Sequence, residues 1–228
     1  MAILDILFDR AQASFGQRVA LKPLSLRLTE RRIGVIGLNG SGKSSFARLI
    51  NGLLLPSAGR VVTNGHDTAK DGARARAAVG FIFQNPANQI VLPLVREDIA
   101  LGLQVRGLAK AEVDHAVASA LERVGIAHLL DRRAHELSGG EVQLAALAAV
   151  LATRPDIVIM DEPTNQLDLR NRNLVERTIG ALDENVIVVT HDLGLIADFS
   201  RVLLFHEGVL VQDGPAAETI AHYLKLVA

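Results

Sequence analysis

One stretch constrains this chain more than any other. Gly37-Leu38-Asn39-Gly40-Ser41-Gly42-Lys43-Ser44 fills every fixed position of the phosphate-cradling pattern G-x-x-x-x-G-K-[S/T]. It follows the apolar run Arg32-Ile33-Gly34-Val35-Ile36, which reads as a buried strand, and leads into a helix-like segment from Ser45 to Ile50. Three glycines and a serine let the backbone curl until successive N–H groups converge on one point, where the helix N-terminus adds roughly half a positive charge. The expected guest is a phosphate chain, with Lys43 reaching the β- and γ-phosphates and Ser44 ligating magnesium.

The length of 228 residues suits one compact α/β domain with a smaller subdomain, and leaves no room for a second domain of ordinary size. Lys and Arg number 24 against 25 Asp and Glu, so bulk charge gives no reason to expect nucleic acid as a partner. With no cysteine there is neither a disulfide framework nor a thiolate metal site, which suits the cytosol. Met1 to Arg10 carries Asp5 and Asp9 inside its apolar stretch and lacks the layout of a signal peptide. The apolar charge-free run Val142 to Thr153 is shorter than the roughly 20 residues that cross a bilayer, so a soluble chain is expected. A hydrophobic content of 49% nevertheless suggests some apolar surface that a partner covers.

Along the chain, Ile3 to Phe8 and Val19 to Leu28 read as strands around a turn at Gly16, with Phe15 placed as an exposed aromatic upstream of the phosphate loop. Asn51-Gly52 ends the loop's helix, and a short strand spans Arg60 to Thr63. Val79 to Phe83 is a buried strand ending at Gln84-Asn85-Pro86, where an amide at a strand's end can reach a metal or an attacking water. Glu97 to Val105, Ala111 to Val124 and Ile126 to Leu130 form a small helical block inserted into the α/β core. Leu137-Ser138-Gly139-Gly140-Glu141 opens an alanine- and leucine-rich helix, Val142 to Ala152, with Ser138 and Glu141 at capping-box spacing.

The apolar strand Ile157 to Met160 runs into Asp161-Glu162. One of these carboxylates can hold magnesium and the next can orient or deprotonate water. A turn through Asp168 precedes a helix from Arg170 to Leu182, and the strand Val186 to Thr190 ends in His191, a candidate γ-phosphate contact. The other histidines, 66, 115, 128, 135, 206 and 222, show no ligand-like spacing. Val202 to Phe205 and Val209 to Val211 read as a hairpin, and a last helix follows Gly214-Pro215.

Taken in order, this set resembles the ATP-binding subunit of ABC transporters across essentially the whole chain. Gly37 to Ser44 matches the Walker A loop, Gln84 the Q-loop glutamine, Leu137 to Glu141 the signature and Asp161 the end of Walker B. Glu162 matches the catalytic glutamate, Asn165 to Asp168 the D-loop, His191 the switch histidine and Phe15 the adenine-stacking aromatic. The resemblance implies an α/β fold: a P-loop NTPase core with a mixed sheet, an N-terminal antiparallel β subdomain and an inserted helical subdomain. The whole would be a single ATPase domain, 1–228, with the core at about 1–92 and 153–228 and the helical subdomain at about 93–152.

The resemblance also implies ATP and Mg2+ as cofactors and a head-to-tail dimer of ATPases, either homodimer or heterodimer. Each ATP would lie between one Walker A loop and the partner's signature. Gly37, Leu38, Asn39, Gly40, Ser41, Gly42, Lys43, Ser44, Ser45, Phe15, Ser138, Gly139, Gly140 and Asp168 would contact nucleotide. Ser44, Gln84 and Asp161 would hold the metal, and Glu162, His191 and Gln84 would serve catalysis.

The stretch from Phe81 to Val91, running into Val95 to Leu103, looks like the ATPases of energy-coupling-factor importers. That likeness implies a transmembrane coupling subunit, a small substrate-binding membrane subunit and a place at the cytoplasmic face of a prokaryotic membrane. Among these importers the compact chain is most similar to the ATPase of biotin transporters, with cobalt and nickel importers as the alternative. The alternative of another class is a non-transport soluble ABC ATPase, but those usually carry coiled-coil insertions or a second ATP-binding domain, for which this length leaves no space. A small-molecule kinase gives the signature and switch histidine no role, and Glu162 argues against a regulator that does not hydrolyse. Two departures stand out. Leu144 occupies the place of the arginine that follows the signature, and Arg132-Arg133-Ala134-His135 replaces the usual proline before it.

Overall fold

Alternating and continuous apolar runs sort the strands into two sheets. The computed structural model describes residues 4–104 and 107–228. In chain order the strands are β1 (Ile6–Phe15), β2 (Arg18–Leu28), β3 (Arg32–Gly37), β4 (Ala58–Thr63), β5 (His66–Asp67), β6 (Val79–Ile82), β7 (Ile157–Asp161), β8 (Asn185–Val189), β9 (Arg201–His206) and β10 (Val209–Gly214). The helices are α1 (Lys43–Ile50), α2 (Gly72–Ala78), α3 (Val95–Gln104), α4 (Lys110–Arg123), α5 (Gly139–Ala152), α6 (Leu169–Gly180) and α7 (Ala216–Val227). Contacts divide the chain into two compact units: one built from residues 1–81, 156–162 and 184–228, the other from 82–155 and 163–183.

In the first unit, β2-β1-β4-β5 form an antiparallel sheet whose alternating side chains are buried on one face only. The second sheet runs β10-β9-β3-β8-β7-β6; β9, β3, β8 and β7 are parallel, and β10 returns antiparallel to β9. β3, β7 and β8 are buried on both faces, which is why they read as near-continuous apolar runs rich in Ile and Val. Phe46 of α1 is sandwiched by Phe8 of β1 and Phe205 of β9, with ring centroids 4.8 and 5.0 Å away. All three rings are buried, each contributing about 2–3 kcal/mol of apolar burial, so the helix that follows the phosphate loop is clamped from both sides.

The second unit is helical. Its α5 is apolar on every face and packs against α3, α4 and α6, so it is a core helix rather than an amphipathic one. Leu144, standing in place of an arginine, is fully buried there. Its side chain adds to the core of this unit instead of making polar contacts.

The fold class is therefore the expected one, with a mixed sheet, an antiparallel β sheet at the N-terminus and a helical block. Several boundaries differ. The first strand continues past Phe8 to Phe15, because Asp9 and Arg10 sit in a bulge that shifts the register with β2 while pairing resumes beyond it. Its expected start, Ile3, lies outside the described residues, as does Val105 at the expected end of α3. The phosphate helix begins at Lys43 rather than Ser45. Sequence reading missed α2, whose Gly-Ala-Arg-Ala-Arg-Ala-Ala buries only Ala75 and so carries no apolar period. Among the described residues no helix is long and apolar enough to cross a membrane.

Candidate functional site

In the parallel sheet Val189 at the end of β8 lies opposite both Val35 of β3 and Asp161 of β7. The phosphate loop, the acidic pair and His191 thus leave the sheet at one edge, the carboxyl ends of adjacent strands, where α/β sheets bind ligands. Continuous apolar runs bring the polar residues there, since each strand stops where its run stops.

Residues 37–42 form the loop, and Gly42 cannot be replaced cheaply. Its φ is 103° and a Cβ would lie 2.5 Å from the carbonyl oxygen of Ala20 on β2. The main chain of Gly208, at the tip of the β9–β10 hairpin, holds the loop from beneath. Its N–H donates to the Ser41 carbonyl at 3.0 Å, while its own carbonyl accepts from Lys22 N of β2 at 2.8 Å. Lys43 is buried and donates from Nζ to the carbonyls of Gly37 (2.8 Å) and Leu38 (3.0 Å). Burial pushes its pKa down, opposed by the nearby Glu162 and Asp161 carboxylates. The ammonium is therefore enclosed by the loop it serves and well placed to exchange those carbonyls for phosphate oxygens.

Ser44 Oγ donates to Asp161 Oδ1 at 3.3 Å. Asp161 is 2% exposed, and burial raises its pKa against the pull of Ser44, Arg48 and Lys43. A hydroxyl and a buried carboxylate side by side form the hard oxygen donor set that suits Mg2+. The buried Ser41 hydroxyl has no hydrogen-bond partner among the described residues, a polar atom inside the loop that an oxygen-rich guest would satisfy.

Glu162 leaves β7 with φ 55°, a left-handed conformation that costs a non-glycine residue about 1 kcal/mol or more. Its N–H donates to the Val189 carbonyl at 2.8 Å, tying the turn to β8. Its carboxylate accepts from the His191 main-chain N at 3.2 Å and is joined to His191 Nδ1 at 2.7 Å. The structure thus brings Ser44, Asp161, Glu162, Lys43 and His191 together.

Phe15 ends β1 and is 53% exposed, opposite Arg18 across the hairpin turn. Arg18 was not singled out from the sequence; its Nη2 lies 3.7 Å from the position a Cβ on Gly40 would take. Leu38, Asn39 and Gly40 are exposed at the loop's apex, and Ser45 is half-buried on α1.

The second unit carries the remaining predicted residues. Gln84 is exposed just beyond β6. Ser138 and Glu141 form the expected capping box of α5: Glu141 Oε2 accepts from Ser138 N and Oγ, each at 2.7 Å, and Ser138 Oγ accepts from Glu141 N at 3.4 Å. Those bonds hold the Glu141 carboxyl below its usual range. Gly139 is exposed and Gly140 buried, because Asn171 of α6 fills the space a side chain at 140 would need, 2.5 Å from its Cβ position. Asp168 caps α6, accepting from Asn171 N at 2.8 Å. Sequence reading missed Asn171, which is neither the Glu nor the Gln that would mark the third residue of a capping box after Asp168.

A phosphate loop followed by α1, an acidic strand end and a histidine on the next strand together define an ATPase of the P-loop type. The comparisons carry this further. The family model described as "ABC transporter" matches residues 21–165. The biotin transport ATP-binding protein BioM of Rhizobium etli is 62% identical over 225 residues, covering 99% of this chain and 100% of that protein. The energy-coupling factor transporter ATP-binding protein EcfA1 of Halalkalibacterium halodurans is 42% identical, covering 86% of this chain and 72% of that protein. The solved structure of cbiO1 from Clostridium perfringens, titled as part of the ABC transporter complex cbiONQ, superposes with a TM-score of 0.87 at 28% identity, over 98% of this chain and 93% of that one. The chain belongs to the ABC transporter family as one of its ATP-binding proteins. It is an ATPase of the energy-coupling-factor type that serves a membrane transporter.

Proposed function

We propose that this chain hydrolyses ATP to energise uptake of biotin. It would act as a peripheral subunit at the cytoplasmic face of a prokaryotic membrane, beside a transmembrane coupling subunit and a small biotin-binding membrane subunit. The observation that carries the choice of biotin is the 62% identity to a biotin transport ATP-binding protein over the full length of both chains. The chain is read as a single ATPase domain, 1–228, with a helical subdomain at about 93–152.

Two copies pack head to tail, each ATP held between the loop of one chain and Ser138, Gly139 and Gly140 of the other, with Asp168 nearby. Phe15 stacks on the adenine. Residues 37–45 cradle the phosphates, and Lys43 gives up the Gly37 and Leu38 carbonyls for β- and γ-phosphate oxygens. Ser44, Asp161 and Gln84 would hold Mg2+, which would supply positive charge against the phosphates. Glu162 orients the attacking water and takes its proton as the water oxygen bonds to the γ-phosphorus and the bond to the β-phosphate oxygen breaks. His191, held by Glu162 through Nδ1, would bind the γ-phosphate by donating Nε2–H when the ring carries both hydrogens.

The reading is tested by isolating the chain from its native membranes in mild detergent, identifying its partners by mass and assaying the bound small molecule. Recovery with two small membrane proteins and biotin is expected. Cobalt or nickel in place of biotin would move the assignment to the metal importers, and recovery without a membrane partner would overturn the transport role.

A further inference from the structure

The antiparallel sheet of the first unit carries four arginines, and three of them face a carboxylate. Arg27 pairs with Asp5 at 2.8 Å, Arg60 with Asp9 at 3.1 Å, and Arg10 lies 3.9 Å from Asp9. The fourth, Arg18, is exposed and has no hydrogen-bond or ion-pair partner for its side chain among the described residues. A guanidinium left without a counter-charge is suited to an anion arriving from outside.

Its place in the fold says which anion. Arg18 opens β2 and is the cross-strand partner of Phe15, so the two residues project from the same end of one hairpin. The guanidinium reaches back over the phosphate loop, Nη2 lying 3.7 Å from where a Cβ of Gly40 would stand. β2 is fixed against that loop at two further points: the Ala20 carbonyl lies against Gly42, and Lys22 N binds the Gly208 carbonyl while Gly208 N binds Ser41. The hairpin cannot drift from the loop without breaking those contacts.

We infer that Arg18 is a nucleotide-binding residue whose guanidinium contacts the phosphate chain of ATP at the apex of the loop, between the phosphates held by Lys43 and the base held by Phe15. This rests on the reading of residues 37–44 as the ATP site. A planar fork of N–H donors beside the loop adds charge-assisted hydrogen bonds that Lys43, enclosed beneath, leaves unmade.

The test measures equilibrium binding of ATP, and of inorganic tripolyphosphate as its competitor, to the full chain and to Arg18→Ala, Arg18→Lys and Lys43→Ala. Arg18→Ala is expected to weaken both ligands about tenfold. Arg18→Lys should recover part of that loss, and the melting temperature without nucleotide should stay that of the parent because the side chain is exposed. Unchanged affinities in Arg18→Ala would overturn the inference. A loss for ATP but not for tripolyphosphate would overturn the phosphate assignment in favour of base or ribose. Failure of the parent chain to bind ATP would overturn the reading of the loop itself, and Arg18 with it. Weakening by Lys43→Ala alone would leave the loop reading standing and remove only Arg18.

Discussion

The Glu162 carboxylate meets His191 twice, at the ring Nδ1 (2.7 Å) and at the main-chain N (3.2 Å). A carboxylate oxygen accepts, so in this pair Nδ1 is the donor and the ring is fixed in orientation. His191→Ala should therefore lower kcat by about two to four orders of magnitude with little change in ATP affinity. Glu162→Gln should bind ATP, trap the dimer and turn over no substrate. Single-turnover hydrolysis together with ATP titration checks both, and normal turnover in Glu162→Gln would remove that residue from catalysis.

Lys43 should behave differently. Because its ammonium is buried within the loop and joined to two of its carbonyls, Lys43→Ala is expected to weaken ATP binding itself, by about ten- to a hundredfold. Isothermal titration reads this directly, and an unchanged affinity would contradict the cradle.

Asn171 explains why position 140 has no side chain. Gly140→Ala should destabilise the protein by about 1–3 kcal/mol through overpacking against Asn171. Adding Asn171→Gly should return the melting temperature towards that of the parent. If the single variant melts like the parent, the contact is slack. If stability returns but ATPase activity does not, Gly140 is also needed where the nucleotide approaches.

Arg201 binds Asp213 through two nitrogens at 2.7 Å, Glu30 at 2.8 Å and the Arg27 carbonyl at 2.9 Å. Burial would raise the Glu30 pKa, but the hydrogen bonds from Arg201 and the Thr29 backbone outweigh it and the pKa is lowered. A folded-state pKa below the unfolded one contributes stability that is present above the ordinary carboxylate range and is lost as pH falls through the folded value. Arg201→Met should cost about 2 kcal/mol at neutral pH by leaving Glu30 and Asp213 without their cation, and the gap from the parent should narrow on acidification. Urea unfolding at pH 7 and pH 4 measures it. A gap that does not change with pH would mean the cluster contributes packing alone.

The residues legible in the sequence share a property. Gly37 to Ser44, Asp161, Glu162 and His191 each follow a buried apolar strand, so one-dimensional pattern fixes their place on the sheet edge. Arg18, Asn171 and Gly208 act through strand register, helix packing and a hairpin tip, which bring distant parts of the chain together and leave no local signature. The same distinction holds for the fold. The parallel strands could be read as apolar runs, whereas the first strand's passage through Asp9 and Arg10 depends on a bulge, and α2 on alanines with no period.

The peptide of Gly208, which links Ser41 to Lys22, involves no side chain on any of its three residues. Mutation of side chains therefore passes over this joint almost unseen, and only a change that removes an N–H or twists the backbone can break it. Proline at position 22 or 208 deletes a donor from the joint, and any side chain at 208, where φ is 76°, strains the backbone and stands 3.0 Å from the Ala20 carbonyl oxygen. The shape of the loop is in this sense inherited through the chain's path more than through its letters, so other substitutions at Ser41 or Lys22 would miss the contact that holds the loop still.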